Sequence, residues 1–399
     1  VSGTTVRSVH IPDLTDLAHR SPSAETLCWL RDGRGLIGWG VLDRLEVTGP
    51  SAMTDGAEWF NERCTELEIA DEVRRPGSGP IAFVSGAFEP DVAPTVFVIP
   101  RVLIGRDEFG SWMTYAGERP EIPEPHDVPE PGEVQYVDGD RDSASFQRAV
   151  RELVARIDAG RLDKAVLARD VYAHTEHDLD VRHLISRLIA TYDGCWTYSV
   201  DGLVGATPEL LLRLADGHVY SRVLAGTEWG PDAHERLRSR KNLEEHEYAA
   251  VSAAAALEKV TIRLSVPGEP KVLSLPNVSH LATEIRGDVA EGITACDVAA
   301  AMHPTAAVGG TPTDIALRMI RELEGADRDR YAGPVGWVDS HGNGEFGIAL
   351  RGGIVRGPRT IQLYAGCGIV AGSDPQTEWQ ETEGKFAVMR HALGSDNLP

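Results

Sequence analysis

VGWVDSHGNGEFGIALRGGIVRGPRTIQLYAGCGIV, residues 335–370, is the stretch that decides the fold class. Three runs rich in Val, Ile and aromatic residues, VGWVDS, EFGIALRGGIV and TIQLYAGCGIV, are separated by HGNG (341–344) and RGPR (356–359). Glycine, asparagine and proline at those breaks reverse the chain within a few residues, so the runs are predicted to pair antiparallel as a meander.

The pattern extends outward on both sides. In residues 1–118, GLIGWGVLDRLEV, IAFVSGAF, TVFVIPRVLIG and GSWMTYAG are further short apolar runs bounded by Gly, Pro and Asp, with one helical stretch expected at 52–70. RPEIPEPHDVPEPGE, residues 119–133, is a stiff, solvated connector. SASFQRAVRELVARIDAG (143–160) has apolar residues near 3.6-residue spacing and a glycine stop, and KAVLARDVYAHT (164–175) reads as a strand. An Ala-rich helix is expected at 235–260, and a last helix from Ser373, with Ser373 and Gln376 as a capping box and Pro375 in the first turn. Strands and helices without regular βαβ repeats give an α+β class, large antiparallel sheets packed together with helices on the outside. Residues 1–118 are expected to be a β-rich part of the same fold, and 140–399 its functional core.

The formal net charge is -22, with the acidic residues spread along the chain. Such a surface repels phosphates, which argues against nucleic acid and anionic membranes as partners; an anionic substrate would need a local basic pocket. Cys28, Cys64, Cys195, Cys296 and Cys367 form no CxxC pair, a pattern that fits a reducing cytoplasm better than a disulfide framework or a zinc site. No run approaches the ~18 apolar residues of a membrane span. The first 20 residues lack the basic start and apolar run of a signal peptide, so a cytoplasmic protein is expected.

Several side chains could carry chemistry. On the last helix, Trp379, Thr382, Phe386, Met389 and Leu393 form a core-facing stripe, and Glu378, Glu381 and Lys385 run parallel to it, about 100° round the helix. Charge runs of this kind are usually solvated faces. On the Ala-rich helix, Glu244, Glu245 and Glu247 repel one another unless solvent or a cation relieves them. Carboxylates from two helices would suit a hard divalent cation such as Mg2+; exposed surface is the plain alternative. His246 among them has the profile of a structural histidine. Gly366, Gly368 and Gly372 have the wrong spacing for a dinucleotide fingerprint. A glycine-rich turn before a helix can still bind a carboxylate through its N–H groups, or can be shaped by conformation alone. Lys164, between apolar neighbours on a strand, could act as a general base, and Glu209, between Pro208 and a leucine run, as a general acid with its pKa raised by burial. A salt-bridged lysine and a solvent-facing glutamate are the alternatives. No serine elbow, HExxH or Walker signature is present.

Together, DKAVLARD, GATPELLLR, VLAGTEWG, RKNLEEHEY, NVSHLATEIRG, AMHPTAAVGGTP, RYAGPVGW, IALRG and YAGCGIVAGSDPQTEWQETEGK resemble, in order, segments of the chorismate-utilising enzymes. That family includes isochorismate, salicylate, anthranilate and aminodeoxychorismate synthases. The resemblance spans about residues 160–386, the N-terminal third matching only in general style. It implies chorismate as substrate and Mg2+ as cofactor, held by Glu245 and Glu381 with Glu378 close by. It implies Lys385 and Arg351 as contacts to substrate carboxylates, helped by Tyr331 and the backbone of Gly366 and Gly368, with Thr227 and His280 lining the pocket. Lys164 resembles the base that activates water in isochorismate and salicylate synthases, and Glu209 would be the acid. Ala225 stands where many aminodeoxychorismate synthases carry a nucleophilic lysine, and Ala307 where salicylate-forming relatives tend to have threonine. Asn242 departs from the acid that some relatives carry one turn before the Glu245 position. The implied activity is isochorismate synthesis for menaquinone or siderophores, by a monomer with no obligatory glutaminase partner. A salicylate synthase, an amine-adding synthase and a non-catalytic homologue are the alternatives.

Overall fold

The computed structural model describes residues 3–228, 230, 232–274 and 279–394, without the side chains of Thr227, Lys241 and Glu245. The expected meander forms, but it divides. Pro334–Asp339 pairs with Gly344–Ile348, and Gly352–Gly357 with Thr360–Ile369. Residues 349–351 interrupt what reads in sequence as one strand, and the two hairpins enter different sheets.

In one sheet, Thr360–Ile369 lies between Lys164–Thr175 and Gly352–Gly357, and the order continues through Leu203–Thr207, Trp196–Val200 and Leu27–Arg31. In the other, Ser279–Val289 is followed by His218–Glu228, Leu210–Ala215, Gly344–Ile348, Pro334–Asp339 and Ile81–Ser85. The long strands Arg34–Val47 and Thr95–Asp107 pair along most of their length and join the two sheets. All these pairs are antiparallel; among the described strands, only Thr5–Ile11 with Glu68–Asp71 is parallel. The α+β class with large antiparallel sheets is therefore the observed one.

The core lies where the inner faces meet. Trp29 and Trp196 stack with ring centroids 6.2 Å apart, and Phe83, Trp337 and Phe346 pack in the same cluster. Each such side chain taken from water stabilises the fold by about 1.5–3 kcal/mol before ordering costs. The helices Ser143–Asp158, Thr313–Glu324 and Pro375–Ala392 cover Lys164–Thr175 and Thr360–Ile369, whereas Arg240–Leu257 covers His218–Glu228. None of the described helices is long and apolar enough to cross a membrane.

Several local expectations shift. The first helix is Ala52–Thr65, shorter than 52–70 because Glu68–Asp71 joins the sheet beside Thr5–Ile11. The Ala-rich helix is Arg240–Leu257, capped by Ser239 and preceded by a separate short helix, Ala233–Arg236. The last helix begins at Pro375, and its cap is the Asp374 carboxylate, which accepts the Thr377 N–H at 2.8 Å. The Ser373 hydroxyl instead accepts the Val370 N–H at 3.2 Å, closing the preceding turn, so the Ser373–Gln376 capping box does not form.

Candidate active site

The break at 349–351 opens onto a cavity of about 110 Å3. Lys164, Glu209, His280, Ala307 and Tyr331 line it, as do Arg351, Gly366, Gly368, Glu381 and Lys385. Two candidates have side chains outside the described residues. Thr227 lies on His218–Glu228 opposite His280, and Glu245 on Arg240–Leu257. Glu378 is absent from the cavity wall; it is buried beside the Cys367 thiol.

Lys164 opens its strand and is 1% exposed. Its backbone pairs with Thr311, and a Cβ on Gly310 would lie 2.2 Å from the Lys164 carbonyl, so the last glycine of HPTAAVGG is what permits this approach. Glu209 occupies the break between Leu203–Thr207 and Leu210–Ala215, created where Pro208 has no N–H for the ladder. Its N–H donates to Thr207 Oγ1 at 3.2 Å, and its carbonyl accepts the Ile348 N–H at 3.2 Å. Burial pushes the Glu209 carboxyl up to about 8, although Lys164, Lys385 and Arg351 pull it down. It therefore holds a proton at neutral pH, the state a general acid requires.

The opposite wall is cationic. Lys385 donates to the Gly366 carbonyl at 2.7 Å and to Glu381 Oε1 at 2.5 Å. Burial is the largest influence and opposes its charge, but the charge and hydrogen bond of Glu381 together with Cys367 leave its pKa raised. Arg351 forms no ion pair among the described residues, so its guanidinium is available to an anion. His280 is pushed down to about 4 by burial and by the Arg351 and Lys385 charges, and is neutral at pH 7. Tyr331 stacks on Tyr364 with centroids 5.0 Å apart and rings 11° from parallel.

A hard cation fits the donors present. Glu378 and Glu381 lie three residues apart on one helix, and both carboxylates act on the same Cys367 thiol, which burial and these charges push well up. Glu378 is 2% exposed and Glu381 lines the cavity, and carboxylate oxygens are the ligands magnesium prefers. Among the described residues no three His, Cys, Asp or Glu side chains converge as a metal site, the Glu245 side chain lying outside them.

Other readings resolve plainly. Glu244 is a surface partner of Arg240 at 2.6 Å, and Glu247 is exposed. His246 is structural: its ring nitrogens lie 3.3 Å from the Ala225 carbonyl and 2.7 Å from Thr283 Oγ1. Asn242 donates to Glu228 Oε1 at 3.1 Å and to the Arg236 carbonyl at 2.9 Å. Gly366 and Gly368 are not in an anion-binding turn; they lie inside Thr360–Ile369, opposite Ala168 and Val166, where small residues leave the cavity open.

Sequence reasoning missed Arg328, which also lines the cavity. It is 3% exposed and bonds to Glu324 at 2.5 and 2.9 Å, to the Val308 carbonyl at 2.8 Å and to the Val166 carbonyl at 2.7 Å. It thereby ties the Lys164 strand to the loop carrying Ala307. In DRDRY it reads as one more surface charge, and no local pattern marks it.

A proton-holding glutamate facing a buried lysine, beside an available arginine, defines an enzyme site for a small anion. The whole chain bears this out: residues 6–394 match the family described as chorismate binding enzyme, so the match includes the N-terminal third. The chain belongs to that family. The isochorismate synthase DhbC of Bacillus subtilis is 36% identical over 273 residues, 63% of this chain and 68% of that protein. The putative isochorismate synthase MenF of Mycobacterium tuberculosis is 34% identical over 360 residues, 85% of this chain and 93% of that protein. The crystal structure of the putative 2,3-dihydroxybenzoate-specific isochorismate synthase DhbC from Bacillus anthracis superposes with a TM-score of 0.80 at 26% identity, covering 96% of this chain and 100% of that one.

Proposed function

We propose that the protein is an isochorismate synthase, an isomerase that converts chorismate reversibly to isochorismate, for menaquinone or siderophore synthesis. The observation that carries this is Lys164 and Glu209 on one buried cavity, with Glu209 protonated up to about pH 8. Lys164 accepts a proton from a water whose oxygen bonds ring carbon 2. The ring double bonds shift, and the hydroxyl on carbon 4 leaves as water with the proton from Glu209. One water enters and one leaves, so the net change is an isomerisation. Arg351 and Lys385 hold the substrate carboxylates, and neutral His280 offers a hydrogen bond without adding charge. Glu381 and Glu245, with Glu378 close by, would hold magnesium, which when bound supplies a Lewis acid for the ring carboxylate. With Ala225 in place of a lysine there is no amine nucleophile at that position, which supports water as the attacking group.

The test is incubation with chorismate and Mg2+, without ammonia or glutamine, followed by chromatography and mass analysis. Isochorismate in equilibrium with chorismate, with no pyruvate, is the expected product. Salicylate plus pyruvate would make the protein a salicylate synthase, and absence of turnover would overturn the reading.

A further inference from the structure

Arg351 has a left-handed backbone, φ +50, which a residue with a long side chain rarely adopts. Something must hold it there. The carbonyls on both sides of its Cα are pinned from neighbouring strands: Leu350 O accepts the Tyr198 hydroxyl at 2.9 Å, and Arg351 O accepts the Ala206 N–H at 3.2 Å. Fixing the peptide planes before and after a residue leaves its φ and ψ no freedom.

The Tyr198 hydroxyl reaches Leu350 because the sheet is cleared for it. Tyr198 stands opposite Gly205, and Gly205 opposite Gly352, in one row across three strands. A Cβ on Gly205 would lie 2.5 Å from the Tyr198 oxygen, and one on Gly352 would lie 2.3 Å from it. Neither glycine has a positive φ, so their role is space, not conformation. The phenol lies over both and is 0% exposed, so no water can replace its bond to Leu350.

We propose that Tyr198 is a positioning residue for Arg351, its hydroxyl holding the arginine backbone in the conformation that presents the guanidinium to the cavity. This rests on the reading that Arg351 binds a carboxylate of chorismate. A guanidinium that binds substrate and transition state alike affects KM more than kcat, so its misplacement should do the same.

The experiment measures kcat, KM and thermal stability for wild type, Tyr198→Phe, Arg351→Ala and the double variant, with Mg2+ present. Tyr198→Phe is expected to raise KM about tenfold with kcat within twofold, and to add less than twofold once Arg351 is alanine. Should Tyr198→Phe not fold, Gly205→Ala, whose Cβ would lie 2.5 Å from the Tyr198 oxygen and 2.7 Å from the Arg351 carbonyl oxygen, disturbs both anchors of Arg351 and is expected to raise KM likewise. An unchanged KM in Tyr198→Phe, or the same tenfold rise on both backgrounds, overturns the proposal while leaving the role of Arg351 intact. An unchanged KM in Arg351→Ala would instead overturn the substrate-binding reading of Arg351, and the proposal with it.

Discussion

Glu209→Gln should make the protein more stable in alkaline solution while removing its activity. The wild-type carboxyl is held at about 8 in the folded state against 4.5 for an unperturbed group, chiefly by burial. Because the folded state binds this proton more tightly, stability is greatest below about 4.5 and is lost as the pH rises through about 8, after which it levels. The full penalty is on the order of 5 kcal/mol, of which about 4 kcal/mol falls between pH 5 and 8.5. Glutamine has the same shape as the protonated acid and carries no such penalty. With an unfolding entropy of ~2.1 cal/mol/K per residue, that difference corresponds to about 5 °C. The assay is thermal denaturation of both proteins without substrate from pH 5 to 8.5. The quantity read is the difference between the two Tm curves, in which titrations not coupled to Glu209 cancel. The gap should widen by about 5 °C in favour of the variant, and parallel curves would refute the argument that Glu209 is a buried, proton-holding acid. The same proton sets the rate: kcat/KM of the wild type should fall about tenfold per pH unit above about 8.

Lys164→Ala should lower kcat by 10²–10⁴-fold or more with circular dichroism unchanged, because its loss removes the base while the backbone pairing of the strand with Thr311 and with Thr360–Ile369 is kept. Activity within tenfold of wild type would exclude that role. Glu324→Gln leaves the Arg328 guanidinium buried with its charge uncompensated, so urea denaturation should show a loss of about 3–5 kcal/mol; a loss under 1 kcal/mol would mean that water reaches the pair. Glu381→Gln should raise the Mg2+ concentration for half-maximal activity by roughly tenfold or more, and an unchanged magnesium titration would remove Glu381 from the metal's ligands.

Much of the molecule was legible in the chain. Alternating apolar runs with Gly, Asn and Pro breaks have a period set by the backbone itself, so Lys164–Thr175 and the turns at 341–344 and 356–359 follow from local rules. The helix Ser143–Asp158 likewise follows from its spacing and its glycine stop, whereas its Asp142 cap is seen in the structure. The family resemblance was legible because its motifs are contiguous. Local rules failed where contacts are distant. EFGIALRGGIV reads as one strand, and only the other strands decide that Gly344–Ile348 joins Leu210–Ala215 while Gly352–Gly357 joins Leu203–Thr207. That division places Arg351 at the seam with a left-handed backbone, and nothing within five residues of it predicts this. Arg328 became a site residue, and Glu378 a buried acid, only because carbonyls and side chains far away in sequence surround them. The sequence by itself determined the elements, whose hydrogen bonds and periodicity are properties of short segments. The tertiary structure alone decided the partition of strands between sheets and the burial of charges, because desolvation depends on every group that excludes water from a site.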